Sequence, residues 1–90
     1  MQIVFIINGE DVPIDCTRWM SLGTLRMWAV EESHNTGRPA EEWELRDERG
    51  CRLDPNLKVG TYGFIDRTRL FLTLRVGIGG ENEQAIGWAA

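Results

Sequence analysis

The chain has 90 residues, enough for one domain with one modest core, because a chain of this size buries roughly 60% of the surface its unfolded form exposes. A formal net charge of −4 argues against a nucleic-acid binder, which needs clustered Lys and Arg for phosphate contacts. Met1 leads straight into strand-like alternation and no apolar run approaches the roughly 20 residues that span a bilayer, so neither a targeting segment nor a membrane partner is expected and the expected compartment is cytoplasmic.

From Met1 to Ile7, Met1, Ile3, Phe5 and Ile7 fall on one face and Gln2, Val4 and Ile6 on the other, which predicts a strand. Asn8-Gly9 follows, a pair suited to a tight hairpin because both residues tolerate positive φ. The return strand places Val12, Ile14 and Cys16 inward and Pro13 outward, which suits an edge strand. Ser21 has the chemistry of a helix N-cap. Leu22, Leu25 and Ala29 then form an apolar stripe with Trp28 beside it. Gly37 is the expected left-handed terminator and Pro39 a barrier to resumption, so the helix is predicted from Leu22 to about Asn35.

Trp43 and Leu45 alternate with Glu44 and Arg46 in a third strand. Glu48-Arg49-Gly50 reads as a turn and Cys51 to Leu53 as a short strand partner. The connection from Asp54 to Phe64 has room for one helical turn. Arg69 to Val76 then gives a last strand with Leu70, Leu72 and Leu74 on one face and Phe71, Thr73 and Arg75 on the other. The class is α+β, a mixed sheet of four to five strands packed on one helix. Residues 1-76 form the expected domain, 77-80 a flexible glycine-rich tail and 81-90 an aperiodic C-terminal extension.

Met1-Gln2-Ile3, the stretch from Leu53 to Leu70 through Val59-Gly60-Thr61-Tyr62, and the close Leu70-Phe71-Leu72-Thr73-Leu74-Arg75-Val76 before Gly79-Gly80 resemble the ubiquitin-like modifier family. A short extension, one lysine among ten basic residues and wide divergence are most similar to bacterial ubiquitin-like proteins from operons that encode E1-like, E2-like and JAB-type peptidase proteins and serve antiviral defence. The resemblance implies a β-grasp fold and a modifier made as a precursor. On that resemblance a JAB-type or other peptidase is expected to cut between Gly80 and Glu81. An E1-like enzyme would activate the Gly80 carboxylate with ATP, and an E2-like carrier would pass it through cysteine thioesters to a target protein. Gly77 and Gly79 keep the tail slender for entry into those enzymes. Arg75, at the matching strand position, is implied as a contact for the activating enzyme, against a surface arginine without a role.

The same resemblance places Glu44, Arg46 and Thr73 where that family carries its apolar receptor patch, so ordinary receptors should bind poorly. Val4, Ile6 and Phe71, on the same outward phase, either form a different patch or are scattered exposed residues. Cys51 and Asp66 stand at two of the family's chain-building lysine positions, leaving Lys58 or the Met1 amine as chain acceptors. For the diglycine itself the alternative is a plain linker. For the whole chain the alternatives are a sulfur carrier with a C-terminal thiocarboxylate, or a non-covalent ubiquitin-like adaptor. The chain is not expected to be an enzyme and no cofactor is expected: His34 is isolated, and Cys16 and Cys51 lack a His partner or metal-ligand spacing. Cys16 is expected in the core, Cys51 at the surface, and Trp19, Trp28 and Trp43 as packing residues.

Overall fold

Alternating apolar residues from Gln2 to Ile7 (β1) and from Glu10 to Asp15 (β2) pair antiparallel, with Ile3 opposite Ile14 and Phe5 opposite Val12. The computed structural model describes residues 1-75. Asn8 (φ 52°) and Gly9 (φ 79°) both take positive φ, the two-residue geometry whose twist matches that of the flanking strands. Trp43–Arg46 (β3) and Thr68–Leu74 (β4) complete a sheet in the order β2-β1-β4-β3, in which the central pair, β1 and β4, runs parallel. Pro13 therefore lies on an edge strand, where its missing N–H breaks no ladder on the free side. The chain folds as a β-grasp: one mixed four-stranded sheet across one helix.

Helix α1 runs Leu22–Glu32. The Ser21 hydroxyl accepts from the Thr24 amide at 3.2 Å, filling one of the amides left unpaired at a helix start. The helix stops three residues before Asn35, and the left-handed residue is His34 (φ 62°) rather than Gly37. Backbone and side-chain hydrogen bonds together explain the early stop. The Asn35 amide donates to the Val30 carbonyl and the His34 amide to the Glu31 carbonyl, the paired closure that ends many helices. Asn35 Nδ2 also donates to Ser33 Oγ at 2.7 Å, and Asn8 Nδ2 donates to Asn35 Oδ1 at 2.8 Å, which ties the helix end to the hairpin. These polar contacts outweigh the strain of a non-glycine residue at positive φ.

The core is formed by Ile3, Phe5 and Ile7 of β1, Val12, Ile14 and Cys16 from β2 and its end, Leu70 and Leu72 of β4, Trp43 and Leu45 of β3, and Leu22, Leu25, Ala29 and Val30 of α1. Val30 widens the expected helix stripe. Trp28 lies outside it, 36% exposed, and Trp19 is 70% exposed, so neither is the packing residue expected. Leu74 keeps the core phase at the end of β4, opposite Trp43, and is 40% exposed. Val4 is 5% exposed although it points to the outer face, where its neighbours across the sheet are Pro13 and Arg69.

The expected strand at Cys51 to Leu53 is reduced to a single bridge between Arg46 and Arg52. Asp47 closes the preceding turn by accepting from the Arg49 and Cys51 amides, which diverts the chain from further pairing. One 3-10 turn at Val59–Tyr62 occupies the long connection, and a shorter one, Ala40–Glu42, precedes β3. Gly23 passes so close to this connection that its amide donates to the Pro55 carbonyl at 2.8 Å, and a Cβ there would meet that oxygen at 3.2 Å.

Leu25→Ala should lower unfolding free energy by about 2–5 kcal/mol and Ser21→Ala by about 0.5–2 kcal/mol, measured by urea denaturation. A Leu25→Ala loss below about 1 kcal/mol would contradict a core organised on the helix stripe.

Candidate functional site

The candidate site is the end of β4, where the chain leaves the domain. Gly77, Gly79, Gly80 and Glu81 lie outside the described residues. Arg75 lies inside them, and three contacts hold it. Its amide donates to the Glu42 carbonyl at 2.8 Å, its Nη2 to the Glu41 carbonyl at 3.3 Å, and its Nε stands 3.9 Å from the Glu44 carboxylate. The Arg75 side chain remains 47% exposed, so it is oriented by the β3 side of the sheet while still open to a partner.

Glu44 links two arginines on the outer sheet face. Arg46 Nη2 donates to it at 2.8 Å, and Arg46 Nη1 donates to the Gly50 carbonyl at 2.8 Å. Glu44 sits opposite Thr73 and Arg46 opposite Phe71, so an ion pair occupies the face where an apolar patch would otherwise lie. Of the other outward candidates, Ile6 and Phe71 are adjacent and half-buried, with the Arg69 guanidinium 5.9 Å from the Phe71 ring centroid. Val4 is buried and contributes no accessible surface. The expected patch of Val4, Ile6 and Phe71 thus shrinks to two partly covered residues.

Behind Arg75 lies a cleft of about 50 Å³ that sequence reasoning missed, lined by Arg26, Trp43, Glu44, Arg52, Leu53 and Arg75 among others. Arg26 reaches it from α1 and donates through Nη1 to the Trp43 carbonyl at 3.0 Å. Burial pushes the Arg26 guanidinium below its ordinary range; Glu41 opposes the shift and Arg75 adds to it. Two buried donors at this place, Arg26 Nε and the Trp43 indole nitrogen, have no acceptor. A charged residue directly beside Leu25 of the core stripe was the one signal in the sequence.

Lys58 is exposed at the end of the connection before the second 3-10 turn. The Met1 ammonium donates to the Cys16 carbonyl at 3.3 Å, at the open end of the hairpin. Asp66 is committed to structure, accepting the Gln2 amide at 2.7 Å. His34 serves the helix end. Cys16 is buried, Cys51 is exposed, and both are free thiols. Among the described residues no cluster of His, Cys, Asp and Glu is placed to hold a metal ion, and no helix is long and apolar enough to cross a membrane.

Residues 1–80 match the family described as "Protein of Unknown function (DUF2604)". The chain belongs to this family. The match ends at Gly80, the second glycine of the pair, and leaves residues 81-90 outside it. The protein y4jI of Sinorhizobium fredii (strain NBRC 101917 / NGR234), described as uncharacterized, is 35% identical over 80 residues, covering 89% of this chain and 62% of that protein. The chain therefore spans less than two thirds of that relative's length. Among solved structures, a crystal structure of ATBAG1 in complex with HSP70 superimposes with a TM-score of 0.70 at 14% identity, over 84% of this chain and 41% of that one. At such identity the likeness shows the fold alone.

Iodoacetamide should add one carbamidomethyl group to the native DUF2604 chain, at Cys51, and a second at Cys16 in denaturant, as read by intact mass. Equal native labelling of both would contradict a buried Cys16. Burial, more than any neighbouring charge, pushes the Cys16 thiol up; the N-terminal ammonium lowers it, and Asp15 and Asp66 raise it. Its contribution to stability is present below the unfolded thiol value of about 8.5 and is lost as pH rises through the higher folded value. Cys16→Ala should therefore flatten the decline of stability at alkaline pH.

Proposed function

We propose that this chain is the precursor of a ubiquitin-like protein modifier that acts in the cytoplasm, matured by cleavage between Gly80 and Glu81. The observation that carries this is the coincidence of two boundaries. The family match stops at Gly80, and Gly80 closes the Gly77-Ile78-Gly79-Gly80 segment that begins two residues after the last described residue, Arg75. A β-grasp domain whose last strand runs into such a segment has a slender end that can enter an enzyme cleft without a Cβ clash.

The chemistry follows from the bond order at Gly80. In the precursor its carbonyl belongs to a peptide amide, so there is no carboxylate to adenylate. Hydrolysis adds water across the Gly80-Glu81 bond, freeing the carboxylate on one side and the Glu81 amine on the other. The carboxylate then attacks the α-phosphate of ATP and releases pyrophosphate. An enzyme thiolate displaces AMP to give a thioester, and a target nucleophile displaces the thiol. Adenylation exchanges a poor leaving group for a good one, and the thioester that follows splits one difficult step into easier ones. A JAB-type zinc peptidase suits the first step, since its metal generates hydroxide and polarises the scissile carbonyl. Arg75, held beside the tail root yet half open, is the recognition contact for the activating enzyme, and Lys58 is an available acceptor for chains.

Incubation with the cognate peptidase should yield residues 1-80 and a released 81-90 peptide by intact mass, and a chain ending at Gly80 should form the E1 thioester without the peptidase. Thioester formed through Ala90 of the full chain, or a Gly80-ended chain that no cognate E1 activates, would overturn the precursor assignment. A Gly80 thiocarboxylate that is never transferred to protein would favour a sulfur carrier instead. Arg75→Ala should lower kcat/KM for thioester formation roughly 10- to 150-fold; an unchanged value would remove Arg75 from the recognition surface.

A further inference from the structure

The cleft behind Arg75 collects positive charge from three separate segments: Arg26 from α1, Arg52 from the loop after β3, and Arg75 from the end of β4. Among the described residues that line it, Glu44 is the one carboxylate, and one of its oxygens already accepts from Arg46 at 2.8 Å. Arg26 uses Nη1 on the Trp43 carbonyl, while its Nε and the Trp43 indole N–H have no acceptor at all. Every missing partner at this place is therefore an acceptor, and the uncompensated charge is positive. We propose that this cleft is a binding site for one carboxylate, the side chain of a Glu or Asp presented by a partner protein.

Size, charge and lining each narrow the ligand. The cleft's volume of about 50 Å³ gives room for a carboxylate. Glu44 lies in the wall and lowers the net positive charge that an anion meets there. Leu53 and Pro55 are half-buried and also line the cleft, giving the methylene stem of an acidic side chain an apolar wall that a free inorganic anion would not use. The two unpaired donors are shielded from solvent, so the carboxylate meets the guanidinium ends directly and offsets the donor dipoles through space. A lone carboxylate on water-exposed arginines binds weakly, so a partner holds it there with the rest of its surface.

This site goes beyond the modifier assignment and its test requires no activating enzyme. The full ¹⁵N-labelled chain is titrated with the capped peptide acetyl-Gly-Glu-Gly-amide while the Trp43 indole and Arg26 Nε–H resonances are followed. Saturable shifts are expected with this peptide and not with its Gln counterpart. Arg52→Gln, at an exposed position, should weaken the response by a factor of roughly 2 to 5, and Arg52→Gln with Arg75→Gln should abolish it. Equal shifts with the Gln peptide or with chloride would overturn the site. Saturation by inorganic phosphate at lower concentration than the Glu peptide would overturn the carboxylate assignment. If residues 1-80 bind the peptide and the full chain does not, the occupant is the chain's own Glu81 or Glu83 and the partner assignment fails.

Discussion

Parallel pairing of the first and last strands is the constraint on which the rest of this molecule depends. Ile3, Phe5 and Ile7 on β1 and Leu70 and Leu72 on β4 face the same layer and are nearly or fully buried. A parallel neighbour cannot be reached by a tight turn; it requires a long crossover. That crossover carries α1, β3 and the 54–64 connection, so the whole middle of the chain is folded over the sheet by a requirement imposed at its two ends. Local contacts reinforce the junction. Asp66 accepts the Gln2 amide, the Arg67 amide donates to the Gln2 carbonyl at 2.7 Å, and Arg67 holds a left-handed φ of 66° to make that approach.

The same pairing places the tail root. Because β4 runs parallel to β1 in the sheet interior, its C-terminal end emerges between β1 and β3 rather than at a free edge. Arg75 is thereby brought against the start of β3, where the Glu41 and Glu42 carbonyls and the Glu44 carboxylate receive it. Arg75, the last described residue, is fixed there by a backbone hydrogen bond and an ion pair, beside a cationic cleft and an outer face that carries the Glu44–Arg46 ion pair. Those three features make this part of the surface unlike an apolar patch: charge placement and backbone-held arginines dominate it.

The guanidinium-rich composition acquires a physical meaning at this point. Nine of the ten basic residues are Arg, and those near the tail root bond carbonyls and carboxylates along a planar fork that an ammonium cannot reproduce. Arg46 spans Glu44 and Gly50 with its two terminal nitrogens, and Arg75 divides its donors between Glu41 and Glu44. Replacing them with lysine would keep the charge and lose the two-point geometry.

The sequence by itself determined the α+β class, the Asn8-Gly9 hairpin, the Ser21 cap, the inward positions of β1 and β2 and the outward Glu44 and Arg46, because each depends on local periodicity or on turn chemistry within a few residues. It also placed Cys16 inside by strand phase and Cys51 outside by its position next to a turn. The helix end was misplaced because Gly37 is the better left-handed residue in isolation, whereas Asn35, bonded to Ser33 and to Asn8 across the fold, closes the helix at His34. Trp19 and Trp28 were expected to pack because large apolar side chains usually do, and here the available core volume was already filled by Leu22, Leu25, Ala29, Val30 and Trp43. Only the tertiary structure decided that Arg26, Arg52 and Arg75, separated by 26 and 23 positions in the chain, line one cleft. Such convergence arises from the long crossover that parallel strands demand, and no local pattern of residues encodes it.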